Sequence, residues 1–210
     1  MAGLLLNVPQ YLPATALRQD SGDLIINEFV AANQTGLTDE DGDHADWIEL
    51  YNRGERAVNL AGWSLTDDPA QPNKWPLPEI TLAGHDYLVV FASGKDRAST
   101  KASSELHTNF KLNQAGEFLG LYNIFQAQFM DVAGTIEPLQ PQEGTAEQFP
   151  EQLADISYGR VGHPAGEQPA YGYFQSPTSA QPNGETADWA GLVGPVTFSV
   201  ERGFYDTPVT

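Results

Sequence analysis

The sequence predicts an all-β chain built as a sandwich or barrel, and three observations lead there. Helical periodicity is nearly absent; short runs rich in Val, Ile, Tyr, Phe and Trp recur along the chain; and Gly, Pro, Asn and Asp separate these runs roughly every 8–12 residues. The most informative stretch is Leu24 to Asp68, LIINEFVAANQTGLTDEDGDHADWIELYNRGERAVNLAGWSLTDD. Two apolar runs, Leu24–Val30 and Trp47–Tyr51, bracket a loop with five acidic residues in the eight positions from Asp39 to Asp46. A third run, Val58 to Leu65, follows the polar turn Asn52-Arg53-Gly54-Glu55.

Taken in order, strands are expected at Leu24–Val30, Asp46–Asn52, Ala57–Leu60, Trp63–Thr66, Tyr87–Ala92, Phe118–Tyr122, Gln128–Val132, Asp155–Arg160 and Tyr171–Phe174, each short, apolar or aromatic and bounded by turn residues. Ile80 to His85 reads as a strand end and turn feeding Tyr87–Phe91. Three connectors resist a packed reading. Ile136–Gln152 is rich in Pro, Gln and Glu and is expected to be a long loop. Ser93–Ser104 is polar and small, a surface loop with at most one helical turn. Gln175–Asp188 contains SPTSAQPNG and reads as the exit from the domain. Residues 1–22 form a leader, either the remains of an export signal or an ordinary terminus. The domain proper runs from 23 to 184, and 185–210 is a linker with the start of a following, truncated β module, since the strand-like PVTFSVERGFYDTPVT has no partner hairpin.

Composition narrows the function. The 210 residues are 40% hydrophobic and 10% aromatic, enough for a core. Ten basic against 28 acidic residues give a net charge of −18, which repels nucleic acid and anionic membrane and leaves cations, basic partners and neutral glycans open. With no cysteine, disulfides, thiolate metal sites and cysteine nucleophiles are excluded. No apolar run approaches the roughly 20 residues of a membrane span.

The candidate chemistry lies in the acidic loop. Asp39, Asp41, Asp43, Asp46 and Glu49 are candidate calcium ligands, because alternating carboxylates in an irregular loop supply the oxygen donors that calcium takes. The spacing fails the EF-hand pattern, with Gly42 fourth from Asp39 and Leu50 twelfth. The plain alternative is a solvated acidic loop in which Asp46 and Glu49 cap turns or pair with Arg53 and Arg56. Trp47, Trp63, Trp75 and Tyr87 are candidates for a sugar-stacking platform, or for core, where strand tryptophans usually belong. His44, His85, His107 and His163 share no metal-binding spacing. Ser93-Gly94-Lys95 is a turn rather than a phosphate loop. Asp67, Asp68 and Glu28 are considered as paired carboxylates. Glu28 stands in an otherwise apolar strand, so burial demands a partner such as Arg160 or Lys111. Asn33-Gln34-Thr35 is a glycosylation sequon.

Several motifs recur together in one order: Ile26-Asn27-Glu28, Asp46 to Asn52 (DWIELYN), Val58 to Asp67 (VNLAGWSLTD), Lys74-Trp75-Pro76, Leu88 to Gly94, Leu106 to Leu112 (LHTNFKL) and Ser157 to Arg160. In these the chain, from about Leu24 to Gly184, resembles the lamin-tail domain in its bacterial exported form. The resemblance implies an immunoglobulin-like β-sandwich with long loops. It implies a non-catalytic module for interaction, surface attachment or spacing within a larger exported chain, extracellular, periplasmic or at the bacterial cell surface. Its partner would be a protein or a surface glycan. GFYDTPVT resembles the start of a chitobiase C-terminal-like module. The connection between Asn123 and Glu151 is longer than the family pattern. The competing reading is a calcium-dependent carbohydrate-binding module, with calcium as the only cofactor in question.

Overall fold

Twelve strands form among the described residues of the computed structural model, which are 23–100, 104–133, 148–162 and 170–192. The leader, part of the long connection after Val132 and the strand-like C-terminus lie outside the described residues. The strands are β1 (Leu24–Val30), β2 (Asp46–Asn52), β3 (Val58–Asn59), β4 (Trp63–Thr66), β5 (Trp75–Pro76), β6 (Thr81–Leu82), β7 (Tyr87–Ala92), β8 (Leu106–His107), β9 (Gly120–Asn123), β10 (Gln128–Val132), β11 (Ser157–Arg160) and β12 (Tyr171–Phe174).

They build a six-stranded sheet in the order β12-β11-β1-β2-β7-β8, a four-stranded sheet in the order β10-β9-β4-β5, and a β3-β6 pair. All pairings are antiparallel except β7 with β8. The chain is an all-β, immunoglobulin-like sandwich; the strand pattern predicts the all-β class, and the family resemblance implies the immunoglobulin-like form. β5 and β8 escape sequence reading because two residues carry no periodicity. Pro76 is tolerated because β5 is a sheet edge. The expected strand at Asp155–Arg160 starts later, at Ser157, because Asp155 adopts a left-handed φ of 59° and its carboxylate accepts from Gln34 N, Thr35 N and Thr35 Oγ1.

The core lies between the two larger sheets. Leu24, Ile26, Phe29, Ile48, Leu50 and Val90 meet Trp63, Leu65, Leu119 and Leu121 across it. Each such side chain stabilises by about 1.5–3 kcal/mol through removal from water. Trp47 alternates with Ile48 and therefore faces the other way, where it packs with Val30 and Phe91 in a second cluster on the outer face.

Strict alternation along β1 would send Glu28 into the core with Leu24 and Ile26. A bulge prevents this. Ile26 pairs with Leu50 and Glu28 with Glu49, so Asn27 is an extra residue opposite a single step of β2. The extra residue moves Glu28 to the outer face and Phe29 into the core. Gly159 of β11 allows the close approach that follows; a Cβ there would lie 2.8 Å from Asn27 O and 3.1 Å from Glu28 Cα.

β11 pairs with β1 only at Glu28 and Phe29, so the outward N–H and C=O of Ile26 need other partners. Asp131 Oδ2 of β10 accepts from Ile26 N at 2.7 Å, and Arg160 Nε donates to Ile26 O at 3.1 Å. Arg160 Nη2 closes the set on Asp131 Oδ1 at 2.6 Å. This buried pair ties the four-stranded sheet to the six-stranded one. Arg160 thus serves Asp131, not Glu28 as its sequence position suggested. Replacing Arg160 with Met is expected to cost about 3–5 kcal/mol in chemical denaturation, because Asp131 is left as an uncompensated buried charge. Adding Asp131→Leu is expected to restore only part of that, since Ile26 keeps two unpaired backbone groups; full recovery would contradict the assignment.

Candidate functional site

The acidic loop is organised around Asp39. Its carbonyl accepts from Gly42 N at 2.9 Å, and its Oδ1 accepts from the backbone N–H groups of Asp41 and Asp43, both at 3.0 Å. Gly42 sits at φ 82°, where a side chain would be strained. The turn brings one carboxylate oxygen each of Asp39, Asp41 and Asp43 within 4.8 Å of one another.

The middle of this cluster holds a cation supplied by the chain. Lys95 Nζ lies 2.6 Å from Asp39 Oδ2, 2.7 Å from Asp41 Oδ2 and 2.8 Å from Asp43 Oδ2. Beside it, Arg97 Nη1 binds Glu40 Oε1 at 3.0 Å and Asp41 Oδ2 at 2.8 Å. Burial alone would raise the Asp39 pKa, but hydrogen bonds from Lys95 and from the Asp43 and Asp41 amides hold it below the ordinary carboxylate value. Partial burial likewise pulls Lys95 down, and its three carboxylate partners raise it overall. Both groups are therefore charged at neutral pH. The Ser93-Gly94-Lys95 turn, with Gly94 at φ 76°, delivers the ammonium group.

Asp46 and Glu49 stand apart from these three. Asp46 Oδ1 accepts from Asn33 N at 3.1 Å, and burial raises its pKa. Glu49 is fully buried on the outer face of β2, opposite Glu28. Its Oε1 accepts from Asn27 Nδ2 at 2.8 Å and its Oε2 from Ala180 N at 2.5 Å. The distance along a strand, not visible as such in a run of acidic letters, separates Glu49 from the loop. Glu28 accepts from Ser157 Oγ, Thr178 N and Thr178 Oγ1. Gln175–Asp188, expected to leave the domain, instead returns over β1 and β2. Asn183 Nδ2 donates to Asn27 O and Arg160 O, and Trp189 pairs with Tyr173.

Ser93 Oγ lies 3.0 Å from His107 Nδ1. Asp39 Oδ2 is 4.0 Å from that same nitrogen, on the serine side of the ring, and Glu40 Oε1 is 3.8 Å from Nε2, beyond hydrogen-bonding distance and bound to Arg97, so neither carboxylate orients the imidazole as a triad carboxylate does. Burial lowers the His107 pKa, so the ring is neutral, and it stacks on Phe91 at 5.4 Å. Asp67 pairs with Lys74 at 2.5 Å, Asp68 caps its own turn on Ala70 N and Gln71 Nε2, and Glu28 lies in the other sheet. These carboxylates do not converge on one another.

The architecture and the recurring motifs agree with a direct comparison: residues 18–136, more than half of the chain, match the family described as Lamin Tail Domain. The chain belongs to the lamin tail domain family. No curated protein matches it. The matched span carries β1 to β10, and β11 and β12 complete the larger sheet of this lamin tail domain beyond it.

Three of its four tryptophans are core elements. Trp47, Trp63 and Trp75 are at most 1% exposed, and Tyr87 stacks on Tyr51 at 4.5 Å. Trp189 is 39% exposed, and the ring that faces solvent most openly is that of Phe125, 74% exposed at the β9–β10 turn beside Ile124. It lies against Gly62, where a Cβ would sit 2.3 Å from the ring. Sequence reading passed over it because a single Phe in a hairpin turn has no pattern. The Asn33 sequon is engaged in the fold: Asn33 Nδ2 donates to Leu37 O and Ala45 O. No helix of the described residues is long and apolar enough to cross a membrane.

Because Lys95 already fills the cluster, calcium must displace an ammonium group that makes three short contacts. Exchanging EDTA for millimolar calcium is expected to leave the melting temperature of the native chain unchanged. Lys95→Met is expected to melt lower in EDTA and to recover with calcium more than with magnesium, by relief of carboxylate repulsion. A calcium-specific rise of several degrees in the native chain, lost in Asp41→Ala, would show instead that the metal outcompetes the lysine.

Proposed function

We propose that this lamin tail domain is a non-catalytic interaction, surface-attachment or spacer module of a larger exported bacterial protein. The family is one of immunoglobulin-like, non-catalytic domains, which supports the first part. The observation that carries the reading is the use to which the reactive groups are put. Lys95, Arg97 and the loop aspartates pin one loop to another, Glu28 and Glu49 hold a third segment, and the carboxylate nearest the free ring nitrogen of the Ser93–His107 pair, Glu40, stands 3.8 Å away and is bound to Arg97. Each would have to leave a structural bond to act on a substrate.

The same geometry weighs against a calcium-dependent carbohydrate site, since the acidic cluster is filled by Lys95 and Trp47, Trp63 and Trp75 are interior. Remaining partners must tolerate a net charge of −18, which favours basic or neutral surfaces. Purified protein is expected to show no turnover of ester, phosphodiester or glycosidic substrates. Hydrolysis that disappears on replacing Ser93 or a single carboxylate would overturn the proposal. Fractionation of the source cells is expected to place the chain in the envelope or medium, and recovery in the cytoplasm would overturn the exported part.

A further inference from the structure

Glu28 and Glu49 face each other directly across β1 and β2, both fully buried. Directly opposed side chains have Cβ atoms about 4.5–5.5 Å apart, and like charges there repel. All of their hydrogen-bond partners are neutral. Glu28 is held by Ser157 from β11 and by the Thr178 amide and hydroxyl; Glu49 is held by Asn27 from the bulge and by the Ala180 amide. The charged and titratable groups around them are few. β7 presents Tyr87, with Tyr51 of β2 stacked on it, and the covering segment presents Thr178, Ala180 and Asn183. Arg160 of β11 and Asp131 of β10 are bonded to each other and to Ile26. Two ionised carboxylates cannot both be sustained cheaply in such a place.

Asn183 ties one end of the covering segment to Asn27 O and Arg160 O, and the stretch before it is anchored on this pair. Thr178 N, Thr178 Oγ1 and Ala180 N all end on the two carboxylates, and Asn27 Nδ2 donates both to Glu49 and to Asn183 Oδ1. We propose that the segment from Gln175 to Gly184 is a proton-dependent clasp, closed over the outer face of β1 and β2 while the Glu28–Glu49 pair retains a proton and loosened when both carboxylates are ionised.

The electrostatics run in the same direction. Burial pushes Glu49 up from 4.5 to about 7; bonds from Asn27 and Ala180 oppose this, and the charge of Glu28 reinforces it. Burial also raises Glu28, against its hydrogen bonds from Ser157 and Thr178. Groups whose folded values are raised bind more protons in the closed form than in the open one. Closure is therefore favoured fully below the ordinary Glu49 value of 4.5 and is lost as pH rises through about 7.

Amide hydrogen exchange of Thr178 and Ala180 in the full chain, corrected for intrinsic base catalysis, tests this between about pH 5.5 and about pH 8.5. Protection of these two amides is expected to fall more than about tenfold across the range while the Ile48 and Leu50 amides keep theirs. Glu49→Gln, which imitates the protonated acid, is expected to remove that pH dependence. Carboxyl carbon shifts of Glu28 and Glu49 in the unsubstituted chain give a second readout that needs no variant, with at least one midpoint expected near 7. Protection constant with pH, loss shared equally by the Ile48 and Leu50 amides, an unchanged profile in Glu49→Gln, or both carboxyls titrating near 4.5 would each overturn the clasp.

Discussion

One extra residue in the first strand sets the arrangement on which the rest depends. Asn27 breaks the two-residue alternation of β1, and the break resolves a conflict written into the sequence, where Leu24, Ile26 and Glu28 would otherwise share a face. With the bulge in place Phe29 reaches the core beside Phe149 and Tyr158, and Glu28 turns to the opposite side. Next to the bulge, β11 pairs with β1 only at Glu28 and Phe29, which leaves the outward backbone groups of Ile26 to Asp131 and Arg160. The tie between the two sheets and the acidic pair on the outer face thus adjoin each other on β1.

Charge in this chain is spent on holding loops. Asp39 nucleates the acidic loop and Lys95 locks it; Asp155 clamps residues 34 and 35; Glu28 and Glu49 seat the C-terminal segment. In each case a carboxylate accepts backbone N–H groups that short strands leave unpaired, and a sandwich built from strands of two to seven residues has many of these. The large negative charge of the whole then has a structural share as well as a solvated one. Lys95 illustrates the difference between composition and placement: one ammonium group placed among three aspartates alters the meaning of the whole loop.

The all-β class, most strand positions and the lamin-tail motifs were legible because alternation, β-branched clusters and turn residues are local signals. β1, β2, β4, β7, β10 and β12 fall where those signals put them. What was hidden is non-local. Lys95 is 56 residues from Asp39, and Arg160 is 29 from Asp131, so no spacing rule links them. The bulge at Asn27 leaves no mark except a Glu in the wrong phase. Gln175–Asp188 looks like a linker because Pro, Ser and Asn dominate it, yet its backbone amides are what the buried carboxylates require. Within the candidate site, Asp39, Asp41 and Asp43 were recognised together because a tight turn gathers neighbours; Asp46 and Glu49 were not part of it because an extending strand carries them away.

The face on which Glu28 lies is the claim to test most directly. In a uniformly labelled sample, nuclear Overhauser contacts from the Glu28 side-chain methylenes are decisive. The bulge requires contacts to Ser157 and to the Thr178 methyl group. Contacts to Trp63, Leu65 or Leu121 would place Glu28 in the core and contradict the arrangement described above.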